Sequence, residues 1–354
     1  MKISIILGTR PEIIKLSPVI RECHKQKIDF FIIHTNQHYS DNMDAIFFKE
    51  LELPQPKYNL GVGSGLHGEM TGKMLTGIEK ILIEEKPDWV IVQGDTNTVL
   101  AGALAASKLQ IKVGHVEAGL RSYDRTMPEE INRILTDHVS DALFCPTKKQ
   151  AVIVKEEGVA KDKIFTTGNT IVDAIYQNLN LLDKHSELNH YKNEKYFLLT
   201  THRPSNVDNK ETLENIIQAV EEMSQKYNVF TYFPIHPRTK KQLEIFGIKA
   251  NPKFIKIINP VGYLEMLALE SNAKLILTDS GGIQEEACIL KIPSVTLRNN
   301  TERAETIEVG ASILTGPNKQ KILTATKKMI DKKRDWKNPF GTSISAKNII
   351  NNLI

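Results

Sequence analysis

The amino-acid sequence predicts an α/β protein made of two successive doubly wound parallel sheets. Short apolar runs alternate with longer amphipathic segments, a pattern typical of βαβ units. The series starts afresh after a polar stretch, residues 178–193, in which the hydrophobic periodicity is weak. The length of 354 residues also suits two domains of ordinary size. We therefore expect a first domain over residues 1–180 and a second over residues 181–335.

The individual elements follow from these alternating runs. In the first series the predicted strands are Lys2–Leu7, Phe30–Thr35, Trp89–Val92, Val113–Glu117 and Ala142–Cys145. The predicted helices between them are Pro11–Lys25, Gly68–Glu85, Thr98–Leu109 and Glu129–Val139. In the second series the predicted strands are Tyr196–Thr201, Val229–Ile235, Ile255–Ile258, Leu275–Thr278 and Ser294–Leu297. The helix Glu211–Tyr227 is predicted after the first of these strands.

Composition excludes several classes of protein. The chain has 46 basic and 42 acidic residues, a net charge of +4 that argues against a general nucleic-acid binder. No window is apolar enough to cross a bilayer, and the N-terminal apolar run is too short for a signal peptide. The three cysteines, Cys23, Cys145 and Cys288, lie in apolar stretches without metal-type spacing. We expect a cytoplasmic protein with no disulfide scaffold.

The first predicted strand runs into Gly8-Thr9-Arg10-Pro11-Glu12, followed by Lys15. Gly8 permits a tight turn, and proline suits the first position of a helix. Arg10 and Lys15 then lie near a helix N-terminus, which already favours anions. This pattern predicts a place where the protein binds an anionic substrate.

The spacing of Gly63, Gly65 and Gly68 matches the dinucleotide fingerprint G-x-G-x-x-G. No buried strand precedes this match, and it does not open the first βαβ unit. We predict a loop that leads into a helix, and no nicotinamide site.

Acidic residues follow the next strands of the first domain. Asp95 is the third residue after Trp89–Val92, at a strand end, where a carboxylate caps a helix or takes part in chemistry. Glu117 ends an apolar strand, where a charge is costly unless it is paired or functional. Glu129 follows Pro128 in the first turn of a helix. Asp95, Glu117 and Glu129 are thus predicted to form an acidic cluster.

The second domain supplies positive charge at its strand ends. Two His–Arg groupings, His202-Arg203 and His236-Pro237-Arg238, follow adjacent strands and predict a phosphate pocket. The stretch 278–287, TDSGGIQEEA, is the most specific signal. Its two glycines allow close backbone approach to a pyrophosphate, and Glu286 is placed to accept hydrogen bonds from ribose hydroxyls. Arg298 and Arg303 are further cations for phosphate.

Together these motifs resemble the non-hydrolysing UDP-N-acetylglucosamine 2-epimerases. The matching stretches run in order from residue 8 to about residue 310 and include GTRPEIIKLSP, NQH, VQGDTNTVLAGALAA, GHVEAGLR, PEEINR, THRPSN, IHPRT, LTDSGGIQEEA and TERAE. The resemblance implies two facing Rossmann-like domains of the glycosyltransferase B type with a cleft between them. It also implies a homodimer, and a C-terminal helix, within residues 336–354, that packs back on the first domain.

The resemblance also assigns roles to individual residues. It implies that the catalytic residues are Asp95, Glu117, Glu129 and His202. It implies that the substrate-binding residues include Arg10, Lys15, Met266, Ser280, Gly281, Gly282, Glu286 and Arg303. His236 joins this set from its place in the predicted phosphate pocket. Met266 stands where the family usually has Phe, and Ala304 where it usually has Pro. In the NQH segment Gln37 and His38 are kept, but Tyr39 stands where Arg is common. The sequence therefore leaves open whether a second substrate molecule activates the protein.

The implied reaction is inversion at C2 of UDP-N-acetylglucosamine to give UDP-N-acetylmannosamine. The C2 hydrogen is not acidic, because no carbonyl group lies beside it. If UDP leaves first, positive charge at C1 makes that hydrogen removable by a carboxylate. Re-addition of UDP and of a proton from the other face gives the epimer. No cofactor and no metal ion is expected, since no His/Cys/Asp cluster has the spacing of metal ligands.

Three other functions remain open at this point. A glycosyltransferase of the same fold would share the UDP pocket, but it would not need three acidic residues around the sugar. A hydrolysing 2-epimerase would use similar residues, and the fold cannot separate the two reactions. A nucleotide-sugar sensor would gain nothing from the acidic cluster.

Overall fold

The computed structural model describes residues 1–37 and 47–354, so His38 and Tyr39 of the NQH segment lie outside the described residues. The chain forms two compact units. The first comprises Met1–Asn178 together with Phe340–Ile354, and the second comprises Leu179–Pro339.

The described residues of the first unit form a parallel sheet of seven strands: β1 (Lys2–Leu7), β2 (Asp29–His34), β3 (Tyr58–Asn59), β4 (Trp89–Gln93), β5 (Lys112–Val116), β6 (Ala142–Cys145) and β7 (Ile164–Thr166). Their order across the sheet is β3-β2-β1-β4-β5-β6-β7. The core strands are rich in Ile and Val and are buried, as expected for a sheet covered on both faces.

Helices connect these strands. They include α1 (Arg10–Lys25), α2 (His67–Glu85), α3 (Asn97–Lys108), α4 (Pro128–Val139), α5 (Lys148–Glu156) and α6 (Thr170–Leu182). Helix α3 consists largely of small residues, which lets it pack closely on the sheet: a Cβ at Gly102 would lie 3.1 Å from Val92. Gly63 and Gly65 lie in a loop before α2, as the sequence predicts, and Gly68 lies in the first turn of α2.

The C-terminal helix α14 (Ser345–Asn351) belongs to the first unit. The buried carboxylate of Asp173 accepts hydrogen bonds from the backbone amides of Ser345 and Ala346, at 3.1 and 3.2 Å. Gly168 has φ +90°, and a Cβ at this position would lie 2.5 Å from the Ser345 hydroxyl. Only glycine therefore fits where α14 packs.

The second unit contains a parallel sheet of six strands in the order β10-β9-β8-β11-β12-β13. Its strands are β8 (Tyr196–Thr200), β9 (Phe230–Pro234), β10 (Ile255–Ile258), β11 (Leu275–Thr278), β12 (Ser294–Thr296) and β13 (Ser312–Leu314). Its helices are α7 (Pro204–Val207), α8 (Lys210–Tyr227), α9 (Pro237–Phe246), α10 (Tyr263–Asn272), α11 (Gly281–Ile289), α12 (Ala304–Glu308) and α13 (Lys319–Met329), and a 3₁₀ segment spans Ser186–Asn193.

The prediction of two Rossmann-like α/β domains is confirmed. The strands that the sequence analysis missed are two or three residues long, β3, β7 and β13, and lie at the sheet edges. Runs this short carry too few apolar positions to show a period. Each sheet reverses its strand order once, at β1/β4 in the first unit and at β8/β11 in the second. Doubly wound sheets bind ligands at such reversals, beyond the carboxyl ends of the strands.

Over the two described ranges, no helix combines the length and the apolar character needed to cross a membrane. In the same ranges, no group of three or more His, Cys, Asp or Glu side chains is arranged to hold a metal ion.

Candidate active site

Glu117 follows β5 in the first unit, and its carboxylate is fixed by two neighbours. The Lys15 ammonium lies 2.6 and 2.8 Å from its two oxygens, and the Gln93 side-chain amide donates to it as well. Lys15 and Glu117 are both buried. Glu117 has φ +71°, a left-handed conformation that is uncommon outside glycine and is often found at functional sites. The structure thus joins two of the predicted site residues in a buried ion pair.

Asp95, which follows β4, is held by Arg133 of α4. The guanidinium contacts one carboxylate oxygen through two nitrogens, at 2.5 and 3.0 Å. The Asn132 side chain donates to the Asp95 carbonyl at 2.9 Å. Thr96, not Asp95, is the residue that caps α3. Helix capping therefore does not explain this carboxylate, and its side chain stays partly exposed.

The two neighbouring glutamates at the start of α4 have different environments. Glu129 is exposed. Glu130 is buried and accepts hydrogen bonds from the Ser122 and Tyr123 amides and from Arg133. Burial opposes ionisation of Glu130, but these donors hold its pKa below the ordinary value. Glu130 thus fixes the loop before α4, and Glu129 is the member of the pair whose side chain faces solvent.

Glu12 is a buried carboxyl group of this region that sequence reasoning did not single out. One oxygen accepts from the backbone amides of Gly8 and Thr9, at 2.6 and 3.0 Å, and the other accepts from the Thr96 hydroxyl. Glu12 thereby ties the loop after β1 to the loop that carries Asp95. Burial raises the pKa of Glu12 to about 7, although the three donors oppose that rise.

We expect the buried Glu12 to make folding depend on pH. Its pKa rises from 4.5 to about 7 on folding, so its contribution to stability is fully present below pH 4.5 and lost as pH rises through about 7. That difference corresponds to about 3 kcal/mol at full ionisation. Glu12→Gln keeps an acceptor for both amides and cannot ionise. The variant should have a higher Tm than the natural protein at pH 8, with the gap closing toward pH 5; an equal gap at both values would contradict this.

Arg10 begins α1, with its guanidinium 5.0 Å from the centre of the Phe47 ring. This cation–π contact orients the guanidinium at the helix N-terminus, where anions are favoured.

In the second unit, the buried carboxylate of Asp279 organises the reversal point between β8 and β11. It accepts from the Thr201 hydroxyl at 2.7 Å and from the amides of His202 and Arg203, both at 3.0 Å. The Asn206 side chain donates at 3.0 Å as well. The His202 ring is partly exposed, with Nδ1 3.3 Å from Asp279. Asp279 therefore fixes the loop that presents His202.

The two glycines after Ser280 have different surroundings. A Cβ at Gly281 would lie 2.6 Å from the Glu302 carboxylate, whereas at Gly282 the nearest atom would be the Ser280 hydroxyl at 3.8 Å. Burial opposes ionisation of Glu302, but Arg298, at 2.7 Å, lowers its pKa to about 2. Ser280 caps α11 and leaves open space in front of Gly282, as a helix N-terminus that binds phosphate requires.

Glu286, in the middle of α11, is buried and contacts Glu270 of α10. Complete burial and the Glu286 carboxylate raise the pKa of Glu270 well above its ordinary value. Burial and the neighbouring Glu286 carboxylate thus both favour the neutral form of Glu270. This neighbour of Glu286 was not expected from the sequence.

The remaining predicted residues of the second unit are His236, Arg303 and Met266. The His236 ring centre is 5.5 Å from that of His202. Burial, followed by the charges of His202 and Arg238, lowers the pKa of His236. Arg303 lies 3.2 Å from Glu285, and Met266 is half-buried on α10. His236 is thus neutral at neutral pH and suited to hydrogen bonding.

Comparison with known proteins places this arrangement in a family. The family model described as UDP-N-acetylglucosamine 2-epimerase matches residues 21–354. The UDP-N-acetylglucosamine 2-epimerase of Methanocaldococcus jannaschii is 62% identical, covering 99% of this chain and 98% of that protein. The UDP-2,3-diacetamido-2,3-dideoxy-D-glucuronate 2-epimerase of Pseudomonas aeruginosa is 42% identical, covering 94% of this chain and 93% of that protein.

A solved structure agrees with both comparisons. The crystal structure of the Methanocaldococcus jannaschii UDP-GlcNAc 2-epimerase in complex with UDP-GlcNAc and UDP superimposes with a TM-score of 0.90 at 62% identity. The match covers 99% of each chain. This chain therefore belongs to the UDP-N-acetylglucosamine 2-epimerase family.

Proposed function

We propose that this protein interconverts UDP-N-acetylglucosamine and UDP-N-acetylmannosamine by inverting C2 of the sugar. The observation that carries the proposal is the pair of oriented carboxylates in the first unit. Glu117 is fixed by Lys15, and Asp95 is fixed by Arg133. Family membership, and the M. jannaschii relative whose crystals hold UDP-GlcNAc and UDP, identify the substrate.

The proposed reaction begins with departure of UDP. The C1–O bond breaks, and its electron pair goes to the β-phosphate oxygen. A carboxylate of the first unit takes the C2 proton, and the C2–H electrons form a C1=C2 double bond. In the reverse sense, UDP adds again to C1, and C2 receives a proton on the opposite face. The sum is an inversion at C2 without any net oxidation or hydrolysis.

We assign these residues different parts of the reaction. Asp95, Glu117 and Glu129 carry the proton transfers as a group, and His202 is a further catalytic residue. The UDP-binding role falls on Ser280, Gly281, Gly282, Glu286, Arg303, His236 and Met266, and the contacts to the sugar and its phosphate fall on Arg10 and Lys15. The open space at Gly282, in front of a capped helix, supports the phosphate assignment.

Incubation of the purified protein with UDP-N-acetylglucosamine in deuterated water, followed by NMR, tests the proposal. We expect UDP-N-acetylmannosamine with deuterium at C2, because the carboxyl groups exchange their proton with solvent between its removal and its return. Free N-acetylmannosamine with UDP would point to a hydrolysing enzyme. Absence of both products would favour a glycosyltransferase.

Parallel incubation with the diacetamido-glucuronate substrate named for the P. aeruginosa relative measures how narrow the sugar specificity is.

We also propose that the protein acts as a homodimer in the cytoplasm. The family resemblance supports the dimer, and three free, buried cysteines fit a reducing compartment. Sedimentation equilibrium of the purified chain distinguishes a dimer from a monomer.

A further inference from the structure

His115, on β5 in the first unit, lies between two hydrogen-bond acceptors. Its Nδ1 is 2.6 Å from the Asp137 carboxylate, and its Nε2 is 2.9 Å from the carbonyl oxygen of Gly94. His115 and Asp137 are both buried, with side-chain exposures of 1% and 0%. A carbonyl oxygen only accepts, so Nε2 must carry a proton.

The other oxygen of Asp137 shows that this carboxyl group is ionised. It accepts from the Gly119 amide at 3.1 Å and pairs with Arg121 at 2.7 Å. Burial alone would favour the neutral acid, but His115 and Arg121 hold the pKa of Asp137 below its ordinary value. The His115 ring therefore bridges the Asp137 carboxylate and the Gly94 carbonyl with its two nitrogens.

The Gly94 carbonyl belongs to the turn directly before Asp95. Gly94 has φ +89°, a conformation that glycine adopts without strain, so the turn has few intrinsic restraints. Both backbone groups of Gly94 bind the turn to the end of β5. The Gly94 amide donates to the Val116 carbonyl at 3.1 Å, and the Gly94 carbonyl accepts from His115.

We propose that His115 is a positioning residue that fixes the Asp95 turn against the strand leading to Glu117, through its hydrogen bond to Gly94. The inference rests on the proposed proton-transfer role of Asp95. His115 itself transfers no proton to substrate, because both of its nitrogens are engaged by protein groups. It sets the distance between two carboxylate-bearing loops, and catalysis by positioned groups is sensitive to such distances.

Two substitutions separate the two hydrogen bonds of His115. The amide nitrogen of Asn takes roughly the place of Nδ1, so His115→Asn keeps a donor toward Asp137 and loses the bond to Gly94. The amide nitrogen of Gln takes roughly the place of Nε2, so His115→Gln keeps the bond to Gly94 and loses the donor toward Asp137. His138→Gln, on the exposed histidine next to Asp137 in α4, is the matched control.

We expect His115→Asn to lower kcat about 100-fold, the cost of a misplacement of about 1 Å, with KM little changed. His115→Gln should lower kcat no more than roughly tenfold, since it keeps the hydrogen bond to Gly94. His138→Gln should leave both constants unchanged. Equal losses in the Asn and Gln variants, or full activity of the Asn variant, would overturn the proposal.

A second measurement does not depend on turnover. Hydrogen–deuterium exchange of the peptide containing Gly94 and Asp95 should be faster in His115→Asn than in His115→Gln, and unchanged in His138→Gln. If the natural protein fails to epimerise its proposed substrate, the exchange result alone decides the inference. Equal exchange in the Asn and Gln variants would overturn it.

Asp137→Asn is a second variant that tests the proposal if His115→Asn does not fold. The amide oxygen of the substituted side chain can accept from Arg121 and Gly119, and its amide nitrogen can donate to Nδ1 of His115 while Nε2 still donates to Gly94. We expect kcat within roughly tenfold of the natural value and unchanged exchange of the Asp95 peptide. A loss as large as about 100-fold with unchanged exchange would refute the role of the Gly94 contact.

Discussion

Glu117→Gln should lower kcat for epimerisation by about 100- to 10,000-fold, the usual contribution of general acid–base catalysis by a positioned side chain. Glutamine keeps the size of the side chain and cannot take up the C2 proton. Steady-state turnover and deuterium incorporation at C2 should fall together. The UDP affinity, measured by isothermal titration, should stay near its natural value, because glutamine leaves Lys15 in place and the residues assigned the UDP-binding role lie in the second unit.

Glu156→Gln, on an exposed glutamate of α5, is the matched control and should leave turnover unchanged. A Glu117→Gln protein that keeps deuterium incorporation at C2 would remove Glu117 from the proton transfers. In that case, Lys15 and Glu117 would serve only as a buried structural pair.

Asp279→Ala should destabilise the protein by about 3–5 kcal/mol, the usual effect of removing one partner from a buried charged network. The carboxylate accepts from two backbone amides and from the side chains of Thr201 and Asn206. Its loss leaves buried donors without an acceptor, and each such donor costs about 1–3 kcal/mol. Denaturant unfolding monitored by circular dichroism gives the free energy of unfolding.

Asp279→Asn should lose less stability, because the amide oxygen still accepts from part of this set. Asp331→Ala, on an exposed aspartate of the same unit, should leave the free energy of unfolding nearly unchanged. UDP affinity should also fall in Asp279→Ala, since the His202-Arg203 loop, which is predicted to belong to a phosphate pocket, loses its anchor. An Asp279→Ala protein as stable as Asp331→Ala would contradict the role assigned to this carboxylate.

The local pattern of apolar residues was enough to predict the main strands and helices. Strand β1 and helix α1 lie close to the predicted ranges, because a buried strand and an amphipathic helix each leave a clear period in the sequence. Glu117 and Asp95 were also identified from the sequence, because they lie at the carboxyl ends of predicted strands. In a parallel sheet these ends meet at one edge. These features depend on neighbours along the chain.

The partners of those side chains were decided by the tertiary structure alone. Lys15 and Glu117 are 102 positions apart, and Asp279 accepts from residues more than 70 positions away. No periodicity encodes which of Glu129 and Glu130 is buried, or that Glu270 lies against Glu286. The electrostatic environment of a carboxyl group depends on every charge and dipole packed around it. The sequence determined which chemical groups are present, and the packing of distant strands and helices decided how they are paired.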